Sequence, residues 1–193
     1  MRQRERNKTI ILTVLISNWT ILTNTSIAIS IIGSNNLISL NTLNTTNAYV
    51  ITLTTASTTN NTFINNSIIG RNSSIGDIWF ATAGINGTWL IDQYLEGYNF
   101  TGAGGTINIR NSSAGEIRFT NAVNGSGGNF SSDIIIGNNS AYVNSSKSGL
   151  NKSANVTLYR TGSYNAPAPY RDGQLCAGTI CSNFANLGGG NYS

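Results

Sequence analysis

The chain has 193 residues, of which 39% are hydrophobic and only 9% charged, so its polar surface must consist mainly of uncharged amides and hydroxyls. This composition favours strands and loops over helices, and the recurring Ile, Val and Thr argue against disorder of the whole chain. The formal net charge is +4, but four basic residues and one acid in residues 1–8 already give +3. The remainder lacks the clustered Lys and Arg that nucleic-acid binding requires.

The amino terminus combines a charged and an apolar segment. "MRQRERNK" followed by "TIILTVLIS" has the order of a signal peptide, although no clean small-x-small cleavage site follows. The apolar run is too short to span a bilayer, so no membrane span is expected. Residues 1–16 are therefore interpreted either as a signal-like segment or as the first coil of the repeat that follows.

Residues 17–83 alternate short β-type runs with polar corners, as in "NLISL", "AYVITL" and "DIWFA". The stretches "NNLISLNTL" and "NNTFINNSI" begin 25 residues apart, and a less similar copy begins at "NWTILTNTSI". The matching pairs in the first two stretches are Asn35 with Asn60, Asn36 with Asn61, Ile38 with Phe63, Asn41 with Asn66, Thr42 with Ser67 and Leu43 with Ile68.

A repeat of this length cannot bury its own apolar face, and it becomes stable only by stacking on the next copy. Asparagine at a corner can bond to the asparagine one coil away and tolerates left-handed backbone. The spacing thus predicts a solenoid with asparagine ladders.

The segment "SNNLISLNTLNTTNAYVITLTTASTTNNTFINNSIIG" resembles the right-handed parallel β-helix repeat of NosD-like and pectate-lyase-like surface proteins. This resemblance implies a right-handed solenoid, extracellular placement and often carbohydrate binding. Some members of the family cleave polysaccharides, so the resemblance also allows that activity.

Residues 84–193 have a different sequence pattern, in which Gly-rich turns separate strands of alternating apolar and polar residues, such as "INIR" and "EIRF". Such alternation implies that each strand has one buried and one solvent-exposed face, as in an antiparallel sandwich or the outer sheets of a solenoid. The region is similar to a module that follows such β-helices in predicted surface proteins of archaeal type. The expected fold is therefore all-β, with a short right-handed parallel β-helix followed by a β-sandwich-like region.

Cysteines and asparagines indicate an exported protein. Cys176 and Cys181 are close enough to form a local disulfide, and the chain has no His and no other Cys to complete a metal site with them. Seventeen N-x-[S/T] triplets occur, against about seven expected at random, although Asn-Ser-Thr turns could also generate them for conformational reasons. The glycosylation candidates are Asn60, Asn65, Asn72, Asn86, Asn99, Asn111, Asn124, Asn129, Asn138, Asn144 and Asn155.

No catalytic, metal-binding or cofactor-binding set is predicted. Without histidine, Ser-His-Asp and Cys-His arrangements and His-containing zinc sites are impossible within this chain. The closest acids, Asp92 and Glu96, would lie about 13 Å apart on a strand, too far for a glycosidase pair. The calcium-dependent chemistry of pectate-lyase-like enzymes would find only Asp77 and Arg71 in the repeat region.

Aromatic residues are concentrated between residues 79 and 100. Trp79, Trp89, Tyr94 and Tyr98 are candidates for a carbohydrate-binding platform, because exposed rings stack on the C–H faces of sugars. The alternative is that this aromatic stretch caps the solenoid core where the second region docks.

These patterns favour a secreted or cell-surface structural or adhesive glycoprotein, with glycans or other surface proteins as its candidate partners. One alternative is a polysaccharide-degrading β-helix enzyme, or a fragment of one. Another is a filament subunit that donates a strand from residues 9–16.

Overall fold

The computed structural model describes residues 14–69, 75–101, 105–159, 168–182, 184–188 and 191–192. It is an all-β structure, 3% helical, that contains a β-solenoid of about four turns. The prediction of stacked parallel coils is therefore confirmed.

Each of the first three coils contributes three short strands, and the fourth contributes two. The strands are β1 (Leu15–Ser17), β2 (Thr20–Leu22), β3 (Ile29–Ile31), β4 (Leu37–Ser39), β5 (Thr42–Asn44), β6 (Ile51–Leu53), β7 (Thr62–Ile64), β8 (Ser67–Ile69), β9 (Ile78–Phe80), β10 (Thr88–Ile91) and β11 (Tyr98–Asn99). Stacking forms three parallel sheets: β1-β4-β7-β10 (sheet 1), β2-β5-β8 (sheet 2) and β3-β6-β9-β11 (sheet 3).

The register of sheet 1 agrees with the pairing read from the sequence. Leu15 pairs with Leu37, Leu37 with Thr62, and Thr62 with Trp89, so successive coils take 22, 25 and 27 residues. Ile38 stacks on Phe63, and Phe63 on Leu90, with all three side chains buried. Each such burial stabilises the fold by about 1.5–3 kcal/mol.

The corner between sheets 1 and 2 is two residues long in the first three coils. Its first residue adopts positive φ in every coil, and the equivalent position of the fourth coil does the same: Asn18 (60°), Leu40 (57°), Asn65 (46°) and Asp92 (48°). Asn and Asp tolerate this left-handed conformation, whereas Leu does so at a cost.

Two amide ladders run inside the corners. At one end of sheet 1, Asn36 donates from its backbone N and from Nδ2 to Oδ1 of Asn61, at 2.9 and 2.8 Å. At the other end, Nδ2 of Asn41 donates to Oδ1 of Asn66 (2.9 Å), and Nδ2 of Asn66 donates to Oε1 of Gln93 (3.0 Å). The predicted asparagine ladders are thus present.

The solenoid continues beyond residue 83, the expected boundary of the repeat region, because β10 pairs in parallel with β7 and β11 with β9. The later elements are β12 (Ile107–Asn111), β13 (Gly115–Phe119), β14 (Ser126–Gly127), α1 (Phe130–Asp133), β15 (Ile134–Gly137), β16 (Ser140–Val143), β17 (Ala154–Leu158), β18 (Tyr170–Arg171), β19 (Gln174–Leu175), β20 (Asn186–Gly188) and β21 (Asn191–Tyr192).

After the solenoid, sheet 1 changes from parallel to antiparallel. β12 is parallel to β10, but β13 folds back against β12 and pairs antiparallel with β17, extending sheet 1 in the order β10-β12-β13-β17-β21-β20. Gly115 is required at the start of β13, because an added Cβ would lie 2.2 Å from the carbonyl oxygen of Thr157. The expected β-sandwich is not confirmed.

Aromatic side chains close the core at the fourth coil. Phe80 packs on Phe100 (ring centroids 4.7 Å apart), and Phe130 of α1 packs edge-on against Tyr98 (5.1 Å) and Phe100 (5.8 Å). The backbone N–H of Phe130 donates to the carbonyl of Glu96 (2.8 Å), which fixes α1 on the last coil. Phe80, Tyr98 and Phe100 are thus buried in the core near the end of the solenoid, where α1 packs.

The predicted disulfide between Cys176 and Cys181 is present, with the Cα atoms 5.8 Å apart. It directly follows the β18–β19 hairpin, which exposes Tyr170 and Leu175. In the part of the chain that the structure describes, no helix is long and apolar enough to cross a bilayer.

Candidate functional site

A group of charged and aromatic side chains lies on the outward face of sheet 1, where the parallel strands meet the antiparallel ones. The Trp89 cluster consists of Trp89 on β10, Arg110 on β12, Glu116 and Arg118 on β13, and Tyr159 directly after β17. Strand register brings these residues together, because Asn108 pairs with both Trp89 and Arg118, and Arg110 pairs with Glu116.

Glu116 is the hub of the cluster. Its Oε2 accepts from Nε (2.9 Å) and Nη2 (2.7 Å) of Arg110 and from the hydroxyl of Tyr159 (2.9 Å). Its Oε1 forms an ion pair with Nη2 of Arg118. A buried carboxylate is tolerated when its oxygens are paired in this way, since charge-assisted bonds offset the loss of hydration.

Both guanidinium groups also contact the indole of Trp89. The Cζ atoms of Arg110 and Arg118 lie 4.7 and 5.0 Å from the ring centroid, within cation–π range. Each arginine is therefore held by an aromatic ring and by a carboxylate, which restricts its rotamers and orients its remaining N–H groups.

The electrostatics of the cluster follow from these contacts. Burial alone would raise the pKa of Glu116, but the hydrogen bonds from Arg110 and Tyr159 and the charges of both arginines outweigh it and hold that pKa below its ordinary value. Burial and the hydrogen bond to Glu116 raise the pKa of the Tyr159 hydroxyl. Glu116 is thus ionised and Tyr159 neutral at physiological pH.

The arrangement suits binding better than catalysis. The side chain of Glu116 is only 5% exposed, whereas Arg110 and Arg118 are 33% and 50% exposed, so two cations and one anion leave an outward excess of positive charge. The surface offers a planar ring and guanidinium N–H donors. Its single carboxylate is already engaged and has no second carboxylate with which to act as an acid–base pair.

The residues that the structure describes include no group of three or more His, Cys, Asp and Glu side chains able to hold a metal ion. Asp92, half of the closest acidic pair in the sequence, lies in a corner, where its Oδ1 accepts from the backbone N of Ser112 (2.8 Å).

The four predicted platform aromatics occupy different environments. Trp89 belongs to the Trp89 cluster, while Trp79, on the outward side of sheet 3, stacks on Tyr49 at 5.3 Å. Tyr94 is 53% exposed. Tyr98 is only 3% exposed and donates its hydroxyl to Oδ2 of Asp133 (3.1 Å), so its ring belongs to the core and is not available as a platform. Burial and this bond raise the pKa of Tyr98.

Ten of the eleven glycosylation candidates lie within the described residues, and Asn72 lies outside them. The asparagine is exposed at seven positions: Asn60, Asn65, Asn86, Asn124, Asn129, Asn138 and Asn155. It is half-buried at the other three, which are Asn99, Asn111 and Asn144. The triplets therefore differ in how exposed their asparagine is.

Sequence reasoning missed Arg110, Glu116, Arg118 and Tyr159 as members of a site. The available signal was the alternation of "INIR" and "EIRF", which assigns the two arginines and the glutamate to the wet face of their strands. Three charges on one face are notable in a chain with so few.

Comparison with protein-family models, with curated proteins and with solved structures found no significant match.

Proposed function

We propose that the chain is a structural or adhesive part of a secreted or cell-surface glycoprotein, and that the Trp89 cluster binds carbohydrate. One observation carries the proposal: a tryptophan ring and the two guanidinium groups that contact it share the outward face of an extended sheet. The right-handed sense of the coil, taken from the family resemblance, belongs to the same proposal.

The chemistry of the Trp89 cluster matches a sugar ring. A pyranose presents an apolar C–H face that packs on an indole, and hydroxyl or carboxylate oxygens that accept from guanidinium N–H groups. Asn108 is the cross-strand neighbour of both Trp89 and Arg118 and adds an amide donor and acceptor at the rim. The local excess of positive charge favours sugars that carry carboxylates over neutral ones.

An extracellular setting is supported by the disulfide and by the polar, weakly charged surface. Disulfides persist in oxidising compartments and are rare in the reducing cytosol. The many N-x-[S/T] triplets are available for modification only in a chain that enters a secretory route.

A glycan array with neutral and carboxylated oligosaccharides tests the binding. We expect the carboxylated glycans to bind best and Trp89→Ala to weaken binding about ten-fold or more, since a stacked ring contributes about 1.5 kcal/mol. Arg118→Ala should abolish the preference for carboxylated sugars. Tyr94→Ala is the matched control, because it removes an exposed ring outside the Trp89 cluster.

The same samples are assayed for release of reducing ends and of unsaturated products. Binding without turnover is expected, and turnover would favour the polysaccharide-degrading alternative. Binding that Tyr94→Ala abolishes and Trp89→Ala leaves unchanged would place the carbohydrate site elsewhere and refute the assignment.

A further inference from the structure

Three N-x-[S/T] triplets share one local geometry. In each, the asparagine Oδ1 accepts from both the backbone N–H and the hydroxyl of the residue two positions later. The distances are 3.0 and 2.7 Å for Asn99 with Thr101, 3.0 and 2.7 Å for Asn111 with Ser113, and 3.2 and 2.6 Å for Asn144 with Ser146. This is an Asx turn, which asparagine forms readily and which closes without help from tertiary contacts.

In the same three triplets, the amide nitrogen forms a tertiary bond. Nδ2 of Asn99 donates to the hydroxyl of Tyr49 (3.2 Å), 50 positions away. Nδ2 of Asn111 donates to the carbonyl of Ile136 (3.0 Å) and joins β12 to β15. Each side chain therefore uses its oxygen to close a turn and its nitrogen to fasten that turn to another element.

Asn144 bonds to a buried carboxylate. Its Nδ2 donates to Oδ1 of Asp133 (2.7 Å), a buried carboxylate whose other oxygen accepts from the hydroxyl of Tyr98. Loss of the bond from Asn144 would leave part of a buried charge unpaired, which is more costly than loss of a neutral hydrogen bond.

The exposed triplets lack a tertiary hydrogen bond from Nδ2 within the described part of the chain. At Asn60, Asn65, Asn124, Asn129, Asn138 and Asn155, Nδ2 makes no hydrogen bond to any residue that the structure describes. Asn86 is intermediate, because its Nδ2 donates locally to the carbonyl of Gly84 (3.0 Å).

We infer that nine of the triplets fall into two classes: six acceptors of N-linked glycan (Asn60, Asn65, Asn124, Asn129, Asn138 and Asn155) and three tertiary ties (Asn99, Asn111 and Asn144) that the folded protein carries unmodified. The inference relies on the exported setting of the proposed function, but not on carbohydrate binding by the Trp89 cluster.

The modification itself is a group transfer from a lipid-pyrophosphate-linked oligosaccharide, catalysed by a membrane oligosaccharyltransferase. The asparagine Nδ2 attacks the anomeric carbon, the N–C bond forms and the C–O bond to pyrophosphate breaks. The lipid pyrophosphate leaves, and the proton lost from Nδ2 passes to the transferase. A single N–H then remains on Nδ2, and a large substituent must reach solvent.

At an exposed position the glycan extends directly into solvent. At Asn111 and Asn144 the half-buried nitrogen points towards a partner element, so a substituent there would separate the two elements. Chains modified at these positions lose the tie and do not reach the native fold. The folded, secreted population is thereby depleted of them.

Secretion of the chain from a eukaryotic host tests the assignment. The folded monomer is isolated by size exclusion and deglycosylated enzymatically in ¹⁸O-water, which converts each occupied asparagine to a labelled aspartate. Mass spectrometry of the peptides should find label in most molecules at the six acceptors, and in almost none at Asn99, Asn111 and Asn144.

Unglycosylated protein from a bacterial host tests the ties independently. Asn111→Gln and Asn144→Gln should lower the melting temperature, while the matched Asn138→Gln should leave it unchanged. The inference is overturned if Asn99, Asn111 or Asn144 is occupied in folded protein of native melting temperature, or if the six acceptors are empty. Either result is independent of glycan binding by Trp89 and its neighbours.

Discussion

Asn61→Ala tests the amide ladder most directly, because Asn61 is fully buried and makes three hydrogen bonds through its side chain. Its Oδ1 accepts from the backbone N and Nδ2 of Asn36, and its Nδ2 donates to the carbonyl of Gly33 (3.0 Å). Alanine would leave two donors and one acceptor without these partners. At about 1–3 kcal/mol for each unsatisfied group, we expect a loss of about 4 kcal/mol, a large part of the 5–15 kcal/mol typical of a domain.

The measurement is urea unfolding followed by circular dichroism and tryptophan fluorescence, with the denaturant midpoint and slope compared between variants. Ser30→Ala is the control, since Ser30 is exposed on the outward side of β3 and its replacement should change stability by less than about 0.5 kcal/mol. A loss below about 1 kcal/mol for Asn61→Ala, at unchanged slope, would show that the ladder is not a major source of stability.

Three further predictions concern the corner, the charged hub and the disulfide. Leu40→Asn should raise the free energy of unfolding by about 0.5–1 kcal/mol, because it relieves a left-handed Leu whose side chain is half exposed; a loss of stability in urea would contradict this. Since the pKa of Glu116 is lowered in the folded state, its contribution should be fully present above its ordinary pKa and be lost as pH falls through the lowered folded value. Glu116→Gln should therefore flatten the acid side of a stability–pH profile, and an unchanged profile would refute the argument. Replacement of Cys176 and Cys181 by Ser should leave the solenoid's melting temperature unchanged while exposing the β18–β19 hairpin to proteolysis; global destabilisation would show that the hairpin is part of the core.

The repeat could be predicted from the sequence where two stacked positions require the same residue type. Asn36 and Asn61 must bond to each other, so the same residue type recurs at the same place in two coils. In the fourth coil Thr88 and Gln93 occupy the two ladder positions, which removes the asparagine signature although the parallel pairing continues. Residue 83 is the end of the repeat expected from the sequence because Gly-rich turns and regularly alternating strands follow it.

The Trp89 cluster was only partly predictable. Alternation indicates that Arg110, Glu116 and Arg118 face outward, but their meeting depends on the hairpin register of β12 and β13. Trp89 joins them through a parallel pairing that no sequence motif marks. Tyr98 was predicted to be an exposed binding residue but is buried. The composition of the aromatic stretch does not distinguish a core ring from an exposed one.

The N-x-[S/T] triplets show a further limit of sequence reasoning. The same three letters describe Asn144, which holds a buried carboxylate, and Asn138, which is exposed. What separates them is the presence of a distant partner for Nδ2, and that partner depends on the tertiary fold.

The amide ladders are buried polar contacts between uncharged groups. Dissolved ions screen attractions between exposed charges over about 10 Å at 0.1 M, but they have little effect on buried bonds between neutral amides. The contribution of the ladders to stability should therefore change little between concentrated salt and nearly salt-free water. Changes in salinity therefore do not require changes to the residues that form the ladders.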